Sequence, residues 1–268
     1  MMDQLKIRHD GDLTWIGLSS VNNTIGSALL KELELAVNEC AAEFESSSVL
    51  VICGSGGKFF SPGLNLHEVS QFDRGGMSRL MQTFSRLYLK LFSFPIPVLA
   101  MLNGDALAGG FLLASCCDRR YGHSGIKVGL TSLSQSVTIP FGNRKILEFL
   151  IGCEAAEEIV DGGLCYTPEQ AFQLGWLDGI FAEKDLERAV RRKALECSKD
   201  SRARRLDERS QLVAEIRQEE RRHLELFLDH WFGHEAQMQI REMVRILDQR
   251  SGEGEGEADD ELKGVEEE

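Results

Sequence analysis

The chain has 268 residues and a charged fraction ordinary for globular proteins, long enough for one large domain, alone or with an appendage. Its net charge of −13, with no compensating basic stripe, argues against a nucleic-acid partner. No apolar run reaches the length of a membrane span.

Residues Gln4–His9 and Leu13–Leu18 alternate as two strands of a hairpin turned at Asp10-Gly11-Asp12. After the loop SSVNN, a helix is predicted from about Ser27 to Glu45, with Leu29, Leu30, Leu33, Ala36, Val37 and Cys40 on one face. Val49–Cys53 is an all-apolar strand, the pattern of a strand covered on both faces. The Gly-rich loop Gly54–Lys58 follows. Met77–Phe92 reads as a helix with Leu80, Phe84, Leu87 and Leu91 buried, stopped by Pro95 and Pro97. Pro97–Leu102 is a buried strand, Asn103-Gly104 a turn, and Gly109-Gly110 opens the apolar helix Phe111–Cys117. Beyond Gly125 come a short strand, Ile126–Gly129, and helices over about Phe141–Ile151, Ala155–Asp161 and Pro168–Leu174. From Leu186 to about Arg250 the chain is helical and heavily charged, with an apolar stripe through Leu212, Ile216, Leu224, Phe227, Trp231, Ile240 and Leu247. The alternation of strand and helix in the first half predicts an α/β fold with right-handed crossovers.

Two stretches point to chemistry. In NGDALAGGFLLASCCD (Asn103–Asp118) a strand feeds a Gly-Gly turn into a helix N-terminus, which leaves backbone N–H groups without partners inside the helix. They point out of the positive end of the helix dipole and suit a developing oxyanion. In KFFSPGLNL (Lys58–Leu66), Pro62-Gly63 forces a turn that is followed by the N–H of Leu64. Two such donors converging on one point form an oxyanion hole.

At these residues the chain resembles the crotonase superfamily, the enoyl-CoA hydratases and isomerases. The family patterns run roughly F-S-A-G-A-D-L and N-G-x-A-x-G-G-G-x-x-x-A-x-x-C-D, and stand here as FSPGLNL and NGDALAGGFLLASCCD, with Ala108 replacing the first glycine of the triplet. Weaker likeness extends to TPEQAFQLGWLDGIF (Thr167–Phe181) and covers about Leu5 to Val190. The resemblance implies a spiral of β-β-α turns, a CoA thioester as substrate or ligand, and no other cofactor or metal. It places the oxyanion donors on the N–H groups of Leu64 and Gly109. It places contact with the adenine end of CoA on Leu64, Asn65, Leu66 and His67. C-terminal helices in such proteins close the substrate pocket and build a trimer interface.

The proton carriers depart from the family pattern. Hydratases of the family use two Glu residues, and the matching positions here are Leu112 and Ser132. Isomerases retain only the second, and the pattern is nearest to the enoyl-CoA delta isomerases. No Asp or Glu occurs anywhere in Ile126–Gly142, so no slip of register restores one. Asp105, His67 and His123 are the substitutes to weigh as proton carriers. A turn Asp is ordinarily a local hydrogen-bonding group, and a lone His is more often a surface or hydrogen-bonded residue. Ser132 and Ser136 can position a water but are poor proton carriers without a base. His230 and His234 lack a third metal ligand, and Asp118 reads as structural. Two functions follow: an enoyl-CoA isomerase of fatty acid metabolism with an atypical site, or a non-catalytic subunit that keeps the fold and thioester binding. A hydrolase or decarboxylase ranks behind both.

The expected organisation is an α/β core over 1–190, a helical region over 191–250 and a tail over 251–268. Ser251–Glu268 holds nine acidic residues against Lys263 alone. Such a segment cannot bury apolar surface, which predicts disorder. Leu224, Phe227, Leu228 and Trp231 would expose a large patch on a lone helix, which predicts a homo-oligomer, a trimer or hexamer, unless the stripe folds back on its own domain. The seven cysteines form no C-x-x-C pair and mostly sit in apolar runs, as in a reducing compartment. MMDQLKIRHD lacks the marks of a secretory signal or transit peptide and the terminal VEEE is no peroxisomal address, so the expected location is cytoplasmic.

Overall fold

The computed structural model describes residues 3–42, 49–131, 137, 139–197 and 203–263. Its strands form two sheets. The larger runs β1 (Leu5–Asp10), β2 (Leu13–Leu18), β3 (Val49–Gly54), β5 (Val98–Leu102), β7 (Arg119–His123) and β10 (Gly179–Phe181), in that spatial order. The hairpin β1–β2 is antiparallel, pairing Leu5 with Leu18, and every later pairing in this sheet is parallel. The smaller sheet holds β4 (Phe59–Ser61), β6 (Asp105–Leu107), β8 (Val128–Gly129) and β9 (Cys165–Tyr166).

Successive turns of the chain place one strand in each sheet before crossing by helix. Strand β3 is followed by β4, then by α2 (Leu66–Val69) and α3 (Arg74–Phe92); β5 is followed by β6 and α4 (Gly109–Ser115). This is the spiral of β-β-α turns. Its tight corners are made by side chains that bond backbone. Asn103 exchanges two hydrogen bonds with the backbone of Gly54, at 2.9 and 2.8 Å. Asn23, buried, donates to the carbonyl oxygens of Ser55 and Phe59. Both fix the loop that leads into β4.

Helix α1 (Ser27–Ala42) buries Leu29, Leu30, Leu33, Ala36 and Val37, as its periodicity predicts. Helix α3 starts three residues earlier than expected, because the Asp73 carboxylate caps it through Gly76 N–H. The remaining helices are α5 (Phe141–Ile151), α6 (Cys153–Gly162), α7 (Pro168–Gln173), α8 (Leu186–Cys197), α9 (Ala203–Trp231) and α10 (His234–Lys263). Phe232 and Gly233 break the long charged helix in two.

The stripe on α9 does not leave an open patch. Phe227, Leu228 and Trp231 are 5%, 1% and 2% exposed and join the main core, so the apolar face folds back onto its own domain. The same helix also buries a charge that the charged composition concealed. Arg209 is fully buried, donates to Phe92 O and pairs with Asp118 Oδ1, each at 2.8 Å, with its guanidinium over the Phe92 ring. Asp118 in turn accepts from Val98 N–H at 2.7 Å. The helical backbone of α10 reaches Lys263, into the acidic segment for which composition predicts no packed structure. Extending an existing helix needs no new nucleus. Of the cysteines, only Cys116 and Cys117 are buried; Cys153 and Cys165 are exposed, each at the start of its helix or strand. No described helix is long and apolar enough to cross a membrane.

Candidate active site

Strand β4 ends in Pro62-Gly63, and Gly63 takes φ 101°, a conformation open to glycine. Ile25 clamps the next residues: its N–H donates to Gly63 O at 2.7 Å and its carbonyl accepts from Asn65 N–H at 2.9 Å. In this single parallel bridge the two residues flanking Leu64 bond Ile25, so the N–H of Leu64 itself faces the opposite side. That side is occupied by the turn between β6 and α4. A methyl group on Gly109 would lie 3.6 Å from Leu64 N, and one on Gly63 would lie 2.9 Å from Gly109 N. The two amides therefore share one small space. Neither N–H meets an acceptor among the described residues.

The turn is held from three sides. Ala108 N–H donates to Gly129 O at 2.9 Å, and Ala108 O accepts from Leu112 N–H at 3.0 Å to begin α4. The buried Tyr88 hydroxyl donates to Gly109 O at 2.5 Å. Burial holds that phenol well above its ordinary pKa, so it remains a donor. Gly110 sits against Ser61, where any Cβ would fall 2.1 Å from Ser61 O, so only glycine lets the helix approach β4 this closely. Ala108 takes φ 46° and ψ −117°, a backbone region in which a side chain is strained.

Beside the two amides lies an apolar cavity of about 130 Å³. Leu112 from α4, Met81 and Phe84 from α3, Leu66 from α2, Phe227 and Trp231 from α9, and Met243 from α10 contribute walls. No described lining side chain carries a charge. A larger groove of about 620 Å³ between α1 and α3 mixes Lys31, Arg79, Glu34 and Asp73 and includes neither amide. Of these two, only the smaller cavity includes both amides.

The residues singled out in the sequence separate into two groups. Leu64, Leu66, Gly109 and Leu112 all line the cavity. Asn65 caps α2, its side chain accepting from Glu68 N–H. His67 lies on the outer side of α2, half exposed, with Nδ1 3.6 Å from Asp248 Oδ1 of α10. Asp105 belongs to β6 rather than to a turn, and its carboxylate accepts from Lys127 N–H at 2.7 Å. His123 is buried at the end of β7, its Nδ1 accepting from Gly125 N–H at 3.2 Å. None of Asp105, His67 and His123 lines the cavity. Ser132 and Ser136 lie outside the described residues. Among the described residues, no group of His, Cys, Asp and Glu side chains is arranged to hold a metal, and His230 and His234 form no such site. Reading the sequence missed Ile25 and Tyr88. Tyr88 was legible as the one hydroxyl on the buried face of α3, since a buried Tyr hydroxyl ordinarily finds a partner.

Residues 16–251 match the family model for enoyl-CoA hydratase/isomerase. The chain belongs to the enoyl-CoA hydratase/isomerase family. A probable enoyl-CoA hydratase of Bacillus subtilis is 29% identical over 174 residues, covering 65% of this chain and 66% of the relative. Enoyl-CoA delta isomerase 1 of human mitochondria is 26% identical over 167 residues, covering 62% and 55%. The matched stretch thus spans less than two thirds of either relative. The crystal structure of human mitochondrial delta3-delta2-enoyl-CoA isomerase superposes with a TM-score of 0.85 over 92% of this chain and 99% of that one, at 20% identity. An enoyl-CoA hydratase from Bacillus halodurans gives 0.78 over 89% and 99%, also at 20%. These two likenesses establish the crotonase fold. The paired amides are those of Leu64 and Gly109, the two residues at which the sequence motifs place the expected donors.

Proposed function

We propose that this crotonase-family protein binds an acyl-CoA thioester, its carbonyl oxygen accepting from Leu64 N–H and Gly109 N–H and its acyl group entering the apolar cavity. The observation that carries this reading is the pair of converging amides without internal acceptors at the mouth of that cavity. Two hydrogen bonds aimed at one oxygen polarise the thioester and stabilise enolate character at its α-carbon. Asn65 and His67 then lie toward the nucleotide end of CoA, while Leu66 lines the acyl cavity.

Turnover needs a proton carrier as well. Leu112 occupies the place to which the family pattern assigns one carboxylate, and it is 4% exposed among apolar neighbours. Syn addition of water needs both a base and an acid, each contributing about 10²–10⁴-fold. The protein is therefore a thioester binder with negligible hydratase activity, working as a regulatory or accessory subunit in the cytoplasm. A second reading, enoyl-CoA isomerisation, draws on the kinship with delta isomerase 1 and needs only one group to shuttle one proton. Trimer formation is part of the same proposal, through surfaces other than the covered α9 stripe.

One comparison of ligands tests the binding reading without any mutation. Butyryl-CoA and S-butyl-CoA differ only in the carbonyl. The thioester should bind roughly 10- to 100-fold more tightly, the worth of two ordinary hydrogen bonds. Equal affinities would remove the oxyanion hole from the account. Crotonyl-CoA hydration and 3-enoyl-CoA isomerisation, assayed in parallel, separate the binding subunit from the isomerase.

A further inference from the structure

We propose that Glu68 is a positioning residue for the Leu64 donor and acts through the N-terminus of α1. The proposal rests on the thioester-binding reading above and adds a residue that does not line the cavity. Residues 25–27 run beside residues 63–68 and are tied to them at three points. Ile25 N–H donates to Gly63 O at 2.7 Å, and Asn65 N–H donates to Ile25 O at 2.9 Å. The third tie is a side chain. Both carboxylate oxygens of Glu68 accept from Ser27 N–H, at 3.1 and 3.2 Å. Leu64 lies between the first two ties and makes neither, so the direction of its N–H depends on how firmly Ile25 is held. A bridge of one residue pair has no ladder beside it to keep it in place. Glu68 supplies that hold two residues further along.

Three observations separate this contact from a surface carboxylate that happens to meet an amide. Helix α1 is 16 residues long and has no acidic residue in its own first turn, so the carboxylate at its positive end comes from α2. Gly26 leaves room for it, since a Cβ there would overlap Glu68 Oε2. Asn65, next to the donor residue, fixes Glu68 in turn, because its side chain accepts from Glu68 N–H at 3.2 Å. The contacts close a ring. It passes from Leu64 through Asn65 and Glu68 to Ser27, and returns through Ile25 to the residues flanking Leu64.

Opening the ring at Glu68 lets Ile25 move against Gly63 and Asn65, and Leu64 N–H loses its aim. The Gly109 peptide is tied separately by Tyr88 and keeps its place. The effect is therefore selective for the ligand carbonyl. Butyryl-CoA and S-butyl-CoA carry the same nucleotide, so any disturbance of α2 itself cancels in the ratio of their affinities.

Calorimetric titration of the full chain with these two ligands tests the proposal. In Glu68→Ala the preference for the thioester should fall roughly fivefold, the worth of one ordinary hydrogen bond. Glu68→Gln keeps one acceptor oxygen and should restore most of the preference. Ser27→Pro removes the donor instead, at the first helical position, where proline is tolerated. It should lower the preference as Glu68→Ala does, and it gives the same reading if Glu68→Ala folds poorly. Asp73→Ala is the control, because it deletes the carboxylate cap of α3. It should lower Tm by a similar few degrees and leave the preference unchanged. An unchanged preference in both Glu68→Ala and Ser27→Pro, with Tm lowered as in the control, would reduce Glu68 to a helix cap. That result overturns the proposal and leaves the thioester reading intact. Equal affinities of the wild-type protein for the two ligands would remove the oxyanion hole, and this proposal with it.

Discussion

Replacing Ala108 by glycine should make the protein more stable, which is unusual for a change that deletes a side chain. Ala108 sits at φ 46° and ψ −117°, where a residue with a Cβ stores on the order of 1–3 kcal/mol of strain. Glycine adopts that conformation freely but carries more conformational entropy in the unfolded chain, a loss of roughly 0.5–1 kcal/mol. Removing a half-buried methyl takes back about 0.5 kcal/mol more. The balance for Ala108→Gly is a gain of about 1 kcal/mol, equivalent to a rise in Tm of roughly 2–4 °C for a domain near this size. Urea unfolding followed by fluorescence of the buried Trp176 and Trp231 would read the change in midpoint. The hydrogen bonds from Ala108 N–H to Gly129 and from Leu112 N–H to Ala108 involve backbone only, so they persist in the variant. Acyl-CoA affinity should accordingly change by less than threefold. A destabilised variant would show that the turn does not hold the strained conformation and that the placement of Gly109 N–H is wrong.

Three further outcomes follow from the same contacts. Arg209→Met should cost about 3–5 kcal/mol, because it strips the largely enclosed Asp118 carboxylate of its fully buried cation; the double variant with Asp118→Asn should recover part of this, and a loss below 1 kcal/mol for the single change would show the pair to be solvated. Tyr88→Phe should cost about 1–2 kcal/mol in stability and should weaken butyryl-CoA several-fold more than free CoA, since it unties the Gly109 peptide without touching nucleotide contacts. At pH 8 a thiol reagent should label Cys153 quickly in the folded protein and reach Cys117 only on unfolding, because burial pushes that thiol up to about 12; fast native labelling of Cys117 would contradict its burial.

Four of the six strands of the larger sheet were legible because they alternate or are wholly apolar; β7, with Arg119 and Arg120, and the three-residue β10 were not. Leu13–Leu18, Val49–Cys53 and Pro97–Leu102 each announce themselves, and the structure moves their ends by a residue at most. Of the smaller sheet only β8 was legible, inside the expected strand Ile126–Gly129. Strands β4, β6 and β9 have two or three residues each, too few for any alternation to show, and Asp105 of β6 reads as a turn residue in the sequence. Their existence follows from the spiral that the family implies, not from local pattern. The charged helices misled in another way. A stretch so rich in Arg and Glu reads as solvated, yet Arg209 is fully buried because Asp118 waits for it across more than ninety positions of chain. No local rule pairs residues at that separation.

At the site, what the sequence made visible was the part that depends on backbone. Two glycine turns at the right separation predict two amides, and the fold brings them together. What stayed hidden was how much of the molecule is committed to aiming them. Ile25 turns Leu64 N–H toward the cavity, Tyr88 ties the Gly109 peptide, Gly110 admits the helix against Ser61, and Ala108 endures a strained turn. The same turn carries Leu112 into the cavity, at the position to which the family pattern assigns a carboxylate. Amides held by so many separate contacts, beside an apolar side chain at that position, fit a site built to hold a polarised thioester more closely than one built to move its protons.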